Sequence, residues 1–161
     1  MVSKAGVVVL DSNIFVIDLR YPRDRHYRDN RAFLAGLRGL APAAMTLANL
    51  LEVCGILSFN LSPQQVWELY HYLPERYHVA VLPAPTLPAT LPAVLVEQLL
   101  TLLVKKLSFG DALVLSMIET WVPQVSCFVS RDARHFRGKT RIPVKTPKEF
   151  LDEVESPPPR D

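Results

Sequence analysis

The protein has 161 residues, of which 49% are hydrophobic and 21% are charged. This composition excludes a disordered chain and predicts one domain built around a hydrophobic core. The formal net charge of +2 is too small to require a nucleic-acid partner by itself, although a local basic face would suffice for one.

The first half of the chain has the alternation of strands and helices that is typical of α/β proteins. The continuous apolar run GVVVL at residues 6–10 predicts a central strand buried on both faces. Asp11, Ser12 and Asn13 then begin a helix that Pro22 ends. Apolar periodicity predicts helices at residues 27–40, 47–59 and 63–77, and strands at residues 43–45 and 79–82.

The second half of the chain continues this alternation. Thr46 is predicted to cap the third helix, and SPQQ at residues 62–65 combines a capping box with a first-turn proline. Prolines between residues 83 and 92 predict a stiff, extended spacer. A helix is predicted at residues 92–107, a second helix capped by Ser108, strands at residues 125–130 and 142–144, and a last helix after Pro147.

These elements predict an α/β fold, a three-layer α/β/α sandwich with a mostly parallel central sheet. Residues 1–155 are expected to form a single domain, and residues 156–161 a flexible proline-rich tail.

The cysteines and the apolar segments bear on where the protein works. Cys54 and Cys127 lie far apart without CxxC spacing, which favours reduced thiols over a zinc site or disulfides. The longest apolar stretch, residues 93–104, is too short to span a bilayer. The amino-terminal apolar run stops at Asp11 without the cleavage pattern of a signal peptide. We therefore expect a cytoplasmic protein with no membrane partner.

Carboxylates at the ends of predicted strands indicate a metal site. Asp11 and Asp132 follow strand-like runs, and in a parallel sheet both would lie at the edge where such sheets bind ligands. Glu52, on a helix, and Asp111, in a helix first turn, could converge with them. Buried carboxylates repel one another, and a divalent cation with oxygen ligands relieves that repulsion.

Each acid also has an ordinary explanation. Asp11 could form an Asx-turn, Glu52 could point to solvent, and Asp132 could be a turn residue. Asp111 lies three residues after Ser108 and could complete a capping box. The joint arrangement of the four acids favours a common site over four unrelated structural roles.

The segments that contain these acids resemble the PIN-domain nucleases, and among them the VapC-type toxins of bacterial and archaeal toxin–antitoxin pairs. The resemblance extends over nearly the whole chain and rests on VVVLDSNIF (7–15), TLANLLEVCGIL (46–57), LSFGDALVLSMIE (107–119) and CFVSRDARHF (127–136). It implies an endoribonuclease dependent on Mg²⁺ or Mn²⁺, the toxin of a type II pair, with an RNA substrate, a small antitoxin partner and a homodimeric state.

The resemblance also implies roles for individual residues. It makes Asp11, Glu52, Asp111 and Asp132 the catalytic, metal-binding set, with Asn13 and Ser130 as small polar residues beside the acids. We expect Asp11 and Asp111 to bind the ion directly, and Asp132 to bind it or to hold water. Glu52 would accept a proton or bind a second ion.

One position departs from the family pattern. Many relatives carry the helical acid three residues after the threonine, where this chain has Asn49, and here the acid is Glu52, one turn further along the same helix face. Either residue could hold the helical position of the site.

Basic residues suggest where RNA phosphates would bind. The predicted contacts are Arg131, Arg134, Arg137 and Lys139, in a segment that also contains His135 and Arg141. A second cluster of arginines lies at residues 20–31, and both clusters are expected to flank the acidic pocket. A solvated charged face explains any single one of these residues equally well.

Other residues and other functions were weighed against this interpretation. Trp67, Tyr70 and Tyr72 favour a dimer or partner surface over base stacking.

The alternative function is a non-catalytic PIN-like module that binds RNA or protein. An aspartate-based phosphatase would need an acid where Asn13 stands, and nucleotide-cofactor enzymes are disfavoured because neither GxGxxG nor a P-loop occurs.

Overall fold

The computed structural model describes residues 6–156, which form five strands and eight helices. The strands are β1 (Val7–Leu10), β2 (Ala43–Met45), β3 (Ala80–Val81), β4 (Val125–Val129) and β5 (Val144–Lys145). The helices are α1 (Ser12–Arg20), α2 (Tyr27–Leu37), α3 (Leu47–Ser58), α4 (Pro63–Tyr77), α5 (Val96–Val104), α6 (Phe109–Trp121), α7 (Ala133–Phe136) and α8 (Pro147–Glu155).

The strands form one sheet in the order β3-β2-β1-β4-β5, and every neighbouring pair is parallel. The apolar run at residues 7–10 is the central strand, as predicted. Leu10 of β1 lies opposite Val129 of β4, and the Asp11 amide donates a hydrogen bond to the Val129 carbonyl over 2.9 Å. The residues that follow β1 and β4 therefore emerge side by side at the carboxyl edge of the sheet.

Two apolar cores lie on opposite faces of the sheet. Alternate β1 side chains divide between them, since Val8 packs with α1 to α4 and α8, and Val9 packs with α5, α6 and α7. Phe33 and Phe128 are among the large side chains fully buried in these two cores. The three-layer α/β/α sandwich predicted from the sequence is therefore confirmed.

Side-chain caps fix the starts of several helices. Thr46 with Asn49, Ser62 with Gln65, and Thr146 with Glu149 form capping boxes, of which the first two include caps predicted from the sequence. Ser108 caps α6 by accepting a hydrogen bond from the Asp111 amide. These caps satisfy backbone donors that a helix cannot pair internally.

Some predicted boundaries were wrong. Helix α2 ends at Leu37, before Gly39 adopts a positive φ of 104°. Helix α5 begins at Val96 and not at residue 92, and its N-cap residue Leu95 is extended. The Ala93 carbonyl accepts a hydrogen bond from the Trp121 indole over 2.8 Å. Helix α5 ends at Val104, before the positive φ of 68° at Lys106. The last strand is Val144–Lys145, shifted from the predicted residues 142–144.

Three further predictions concern the two cysteine thiols, the presence of a membrane-spanning helix and the proline-rich tail. Cys54 and Cys127 are free and buried, and burial raises the pKa of both thiols. Across residues 6–156, no helix has the length and apolar character needed to cross a membrane. The predicted tail at residues 156–161 lies, apart from Ser156, outside the described residues.

Candidate metal centre

The four predicted acids line one cleft at the carboxyl edge of the sheet, which we call the acidic cleft. Asp11 follows β1, Glu52 lies in α3, Asp111 lies in the first turn of α6 and Asp132 follows β4. The cleft has a volume of about 1150 Å³. Four separate segments of the chain therefore supply carboxylates to a single concave surface.

Asp11 is the most deeply buried of these acids, with 7% of its surface exposed. Its Oδ1 accepts hydrogen bonds from the Ser12 amide (2.8 Å) and from Asn49 Nδ2 (3.4 Å), and its Oδ2 accepts one from Ser130 Oγ (2.6 Å). The bond to the Ser12 amide caps α1. The turn role considered for Asp11 is therefore observed, and the same side chain lines the acidic cleft.

The electrostatics of Asp11 are unusual for an aspartate. Burial raises its pKa to about 7, and the negative charges of Glu52 and Asp111 add to the increase. The hydrogen bonds from Ser130 and Ser12 oppose it. A nearby positive charge would favour the ionised form of Asp11.

Glu52 is exposed, but its carboxylate accepts a hydrogen bond from the buried hydroxyl of Ser12. The side chain therefore turns toward the acidic cleft. Ser12 also receives a hydrogen bond from Asn49 Nδ2 over 3.1 Å. From the sequence, Ser12 was predicted only to begin a helix, and its hydrogen bond to Glu52 was not predicted. Its position directly after Asp11 was the one sequence feature that could have indicated a role at the site.

Asn49 has a different role from Glu52. It is fully buried, and its Oδ1 accepts hydrogen bonds from the Thr46 amide (3.2 Å) and hydroxyl (2.7 Å). Its Nδ2 donates to Asp11 Oδ1 and to Ser12 Oγ. At the position where many relatives are expected to carry an acid, this chain therefore has a neutral donor directed at Asp11.

Asp132 pairs with the cationic Arg131, and Asp111 lies beside His135, which is cationic only when protonated. Asp111 Oδ2 lies 3.1 Å from His135 Nε2. Only the amide of Asp111 takes part in the α6 cap, so its carboxylate is directed into the cleft. Asp132 Oδ2 lies 3.3 Å from Arg131 Nη2, and Arg131 also lies 3.7 Å from Asp24. The Asp111–His135 contact was not foreseen from the sequence.

Asn13 and Ser130 connect the two strand ends. Ser130 Oγ accepts hydrogen bonds from Asn13 Nδ2 and from the Asp132 amide, both over 3.1 Å, while it donates to Asp11. Asn13 Oδ1 accepts a hydrogen bond from the Arg131 amide over 3.2 Å. This network fixes the Asp11 side chain and the backbone of Asp132 relative to each other.

The chemistry of the donor set fits a hard divalent cation, because carboxylate oxygens are the ligands that Mg²⁺ and Mn²⁺ take. Across residues 6–156, however, no group of three or more His, Cys, Asp or Glu side chains is close enough to hold a metal ion. Asp111 and Asp132 face His135 and Arg131 instead. These contacts use only the Oδ2 atoms of the two acids, and Mg²⁺ bound there would keep several of its waters.

The predicted phosphate contacts divide between two places. Arg131, Arg134 and Arg137 line the acidic cleft, but Lys139 lines a neighbouring cleft. Arg137 is bonded to Glu149 and to the Val144 carbonyl (3.0 Å). Of the arginines at residues 20–31, only Arg25 lines the acidic cleft.

The aromatic residues of α4 lie away from the acidic cleft. Trp67 is 70% exposed and Tyr72 is 40% exposed, whereas Tyr70 packs against the core. Trp67 and Tyr70 line a mostly apolar cleft between α3, α4 and the proline-rich spacer. The predicted dimer or partner surface stays a prediction.

The fold was compared with solved structures. VapBC2 from Rickettsia felis bound to a DNA fragment from its promoter aligns with a TM-score of 0.55 and 14% identity, covering 87% of this chain and 98% of that chain. VapBC-1 from nontypeable Haemophilus influenzae aligns with a TM-score of 0.57 and 15% identity over 88% and 98%. FitAcB from Neisseria gonorrhoeae aligns with a TM-score of 0.57 and 14% identity over 87% and 97%.

The fold is PIN-like. The resemblance to VapC-type PIN domains seen in the sequence is thus matched by the tertiary structure. A scan of family models and a search of curated protein sequences found no match. In this PIN-like fold, the acidic cleft lies at the carboxyl ends of the central strands, where parallel sheets bind their ligands.

Proposed function

We propose that this PIN-like protein is an endoribonuclease dependent on Mg²⁺ or Mn²⁺, and the toxin of a type II toxin–antitoxin pair. The observation that carries the proposal is the convergence of Asp11, Glu52, Asp111 and Asp132 on one cleft. The raised pKa of Asp11 supports it, because burial, and to a smaller extent the charges of Glu52 and Asp111, make the ionised carboxylate unfavourable without a compensating cation.

In this proposal, the divalent ion would supply the positive charge that neutralises an RNA phosphate and makes water a better nucleophile. Asp11 and Asp111 would bind it, and Asp132 would bind it or hold a water beside it. Glu52, exposed at the cleft and anchored by Ser12, would take up a proton or bind a second ion. Ser130 would keep Asp11 oriented through its short hydrogen bond.

Arginines at the same cleft would hold the substrate. Arg134 lines the acidic cleft and is exposed, and within residues 6–156 no carboxylate lies within salt-bridge distance of it. Arg25 lines the same cleft from the α1–α2 loop. Both guanidinium groups suit phosphate recognition. RNA phosphates would thus be held beside the acids that position the ion.

The partner assignments rest on the resemblance and on the fold comparison. The similar structures include VapBC2, VapBC-1 and FitAcB. By analogy, we propose a small antitoxin that covers the acidic cleft, a homodimeric toxin and a cytoplasmic location.

Two observations favour the alternative, a PIN-like module that binds RNA or protein without cutting. Asn49 replaces the acid expected from relatives, and the described acids do not form a ready metal cage. Metal-dependent stabilisation separates the two functions, because only the nuclease has to bind a cation in its folded state.

The direct test is thermal unfolding and RNA cleavage with and without Mn²⁺. At about 100 times its Kd, Mn²⁺ should add about 2.7 kcal/mol to the unfolding free energy. For a domain of this size, that corresponds to a rise of about 5 to 10 °C in Tm. The metal-loaded protein should cleave RNA, and EDTA should stop the reaction. An unchanged Tm with no cleavage would favour the binding module.

Asn49 offers a second prediction. Asn49→Asp places a new carboxylate beside Asp11 and removes the amide that donates to it. Without metal, Tm above pH 7 should fall, because two neighbouring carboxylates repel each other. Saturating Mn²⁺ should raise the Tm of this variant more than that of the wild type.

The matched control is Asn49→Ala, which loses the same donor without adding charge. Its Tm should fall, but Mn²⁺ should raise it no more than in the wild type. Equal responses of the Asp and Ala variants to Mn²⁺ would mean that position 49 does not contribute to ion binding.

A further inference from the structure

A second cleft, which we call the basic cleft, lies toward the carboxyl end of α6 and the start of β4, whereas the acidic cleft lies at the first turn of α6 and the end of β4. It has a volume of about 700 Å³ and is lined by α5, α6 and residues 138–142. The segment at residues 131–145 contributes to both clefts, with residues 131–137 in the acidic cleft and residues 138–142 in the basic one. Gly138, with a positive φ of 76°, turns the chain between them. The two clefts are therefore adjacent along the chain.

The segment at residues 131–145 is strongly basic. It contains six of the 18 lysines and arginines of the chain and one acid, Asp132. Several of these cations are already neutralised, since Arg131, Arg137 and Lys145 pair with acids. Lys139 and Arg141 are not neutralised in this way, because no carboxylate of residues 6–156 lies within salt-bridge distance of either side chain.

Helix α5 adds a third positive charge to the basic cleft. Lys105, just after α5, lines it, and its Nζ donates a hydrogen bond to the Lys139 carbonyl over 3.2 Å. This bond ties the end of α5 to residues 138–142, so that Lys105, Lys139 and Arg141 lie around one depression. Glu119 also lines the cleft, but its carboxylate oxygens accept hydrogen bonds from Gln98 (3.0 Å) and Thr140 (2.8 Å).

Grouped cations without acidic partners repel one another, and a polyanion relieves that repulsion. We propose that the basic cleft binds the phosphate backbone of the RNA strand whose scissile phosphate lies in the acidic cleft. Arg134 lines the acidic cleft, and no carboxylate of residues 6–156 lies within salt-bridge distance of it either. This inference rests on the proposed function and specifies the substrate, an RNA long enough to occupy both clefts at once.

The test compares two single-stranded RNAs, one of about 4 nucleotides and one of about 16 nucleotides. The variant replaces Lys105, Lys139 and Arg141 together by Gln. In EDTA, the Kd for the long RNA should rise at least about tenfold at low salt. The slope of log K against log salt should become shallower by about 2, because each contact with a single-strand phosphate contributes about 0.7. Cleavage of the short RNA with Mn²⁺ is measured on the wild type and tests the proposed function separately.

The matched control replaces Arg38, Arg76 and Lys148 by Gln, which removes the same charge elsewhere. Arg38 and Arg76 line a different cleft, and Lys148 lies on α8. This control should keep the wild-type salt slope and Kd. Circular dichroism and Tm of both triple variants check that each is folded.

The outcomes separate this proposal from the proposed function. An unchanged slope in the first triple variant, or an equal loss in the control, overturns the basic-cleft proposal even where the wild type cleaves the short RNA. Loss of long-RNA binding in the first variant alone supports it. If neither RNA is cleaved but that specific loss occurs, the nuclease assignment fails and RNA binding by the basic cleft stands.

Discussion

Replacing Asp11 by Asn is expected to abolish RNA cleavage while the domain stays folded. The amide has the size of the carboxylate, and its oxygen can still accept the hydrogen bonds from the Ser12 amide and Asn49. It lacks the charge needed to hold a divalent ion. Because loss of groups that only support a metal ligand already costs about 10- to 100-fold, loss of a direct ligand should cost at least about 100-fold in cleavage rate.

The measurement is the initial rate of RNA cleavage in Mn²⁺ at fixed protein concentration, with circular dichroism as a check on folding. Asp111→Asn should lose activity similarly, because both acids face the same cleft. Asp152→Asn is the control, since it removes one carboxylate from the exposed side of α8, where Asp152 pairs with Lys148. Full activity in both cleft variants would place the reaction elsewhere on the molecule.

The same substitution should change how stability depends on pH. Asp11 has an ordinary pKa of 3.8 in the unfolded chain and a pKa of about 7 in the folded protein. A raised folded pKa means that the folded state favours the protonated acid. The stability that this proton provides is fully present below pH 3.8 and is lost as pH rises through about 7. The difference between the two pKa values corresponds to about 4 kcal/mol.

Urea unfolding between pH 4 and pH 8 measures this effect. Relative to Asp11→Asn, which cannot titrate at this position, the wild type should lose up to about 4 kcal/mol of unfolding free energy over that range. Asp152→Asn should show no such divergence from the wild type. Parallel curves for the wild type and Asp11→Asn would show that the pKa of Asp11 is not raised in the folded protein.

A divalent ion should reduce this loss, because cation binding favours ionised Asp11. Saturating Mn²⁺ should therefore flatten the pH dependence of the wild type and leave that of Asp11→Asn unchanged. Together, the activity and stability measurements test whether one residue both destabilises the metal-free fold and enables catalysis, a trade-off known at functional sites.

Local pattern was enough to predict much of the fold. The run at residues 7–10 has the uninterrupted, β-branched apolar character typical of a strand buried on both faces, and it is the central strand. The SPQQ segment contains both the capping serine and the first-turn proline of α4, and α4 begins at Pro63 as predicted. At Pro92 the local cue was wrong, since α5 begins only at Val96, and the intervening Ala93 carbonyl accepts a hydrogen bond from the distant Trp121 indole.

In the candidate site, too, local sequence features predicted some of the residues, whereas contacts between distant segments were not predicted. Local features of the sequence indicated Asp11 and Asp132 at strand ends and Asp111 in a helix first turn, where acids can meet at one sheet edge. Glu52 lies in the middle of α3 and was named with them because the joint arrangement of the four acids and the family resemblance include it. The sequence did not predict that Ser12 bridges to Glu52 or that Asp111 faces His135.

Only the tertiary structure decided which side chains become partners. Ser130 and Asp11 lie 119 positions apart along the chain yet share a hydrogen bond of 2.6 Å. Likewise, Lys139 belongs to the basic cleft because the chain turns at Gly138. Backbone periodicity and capping act over a few residues, whereas charge pairing and burial depend on how distant segments pack, and that packing sets both the pKa of Asp11 and the division into two clefts.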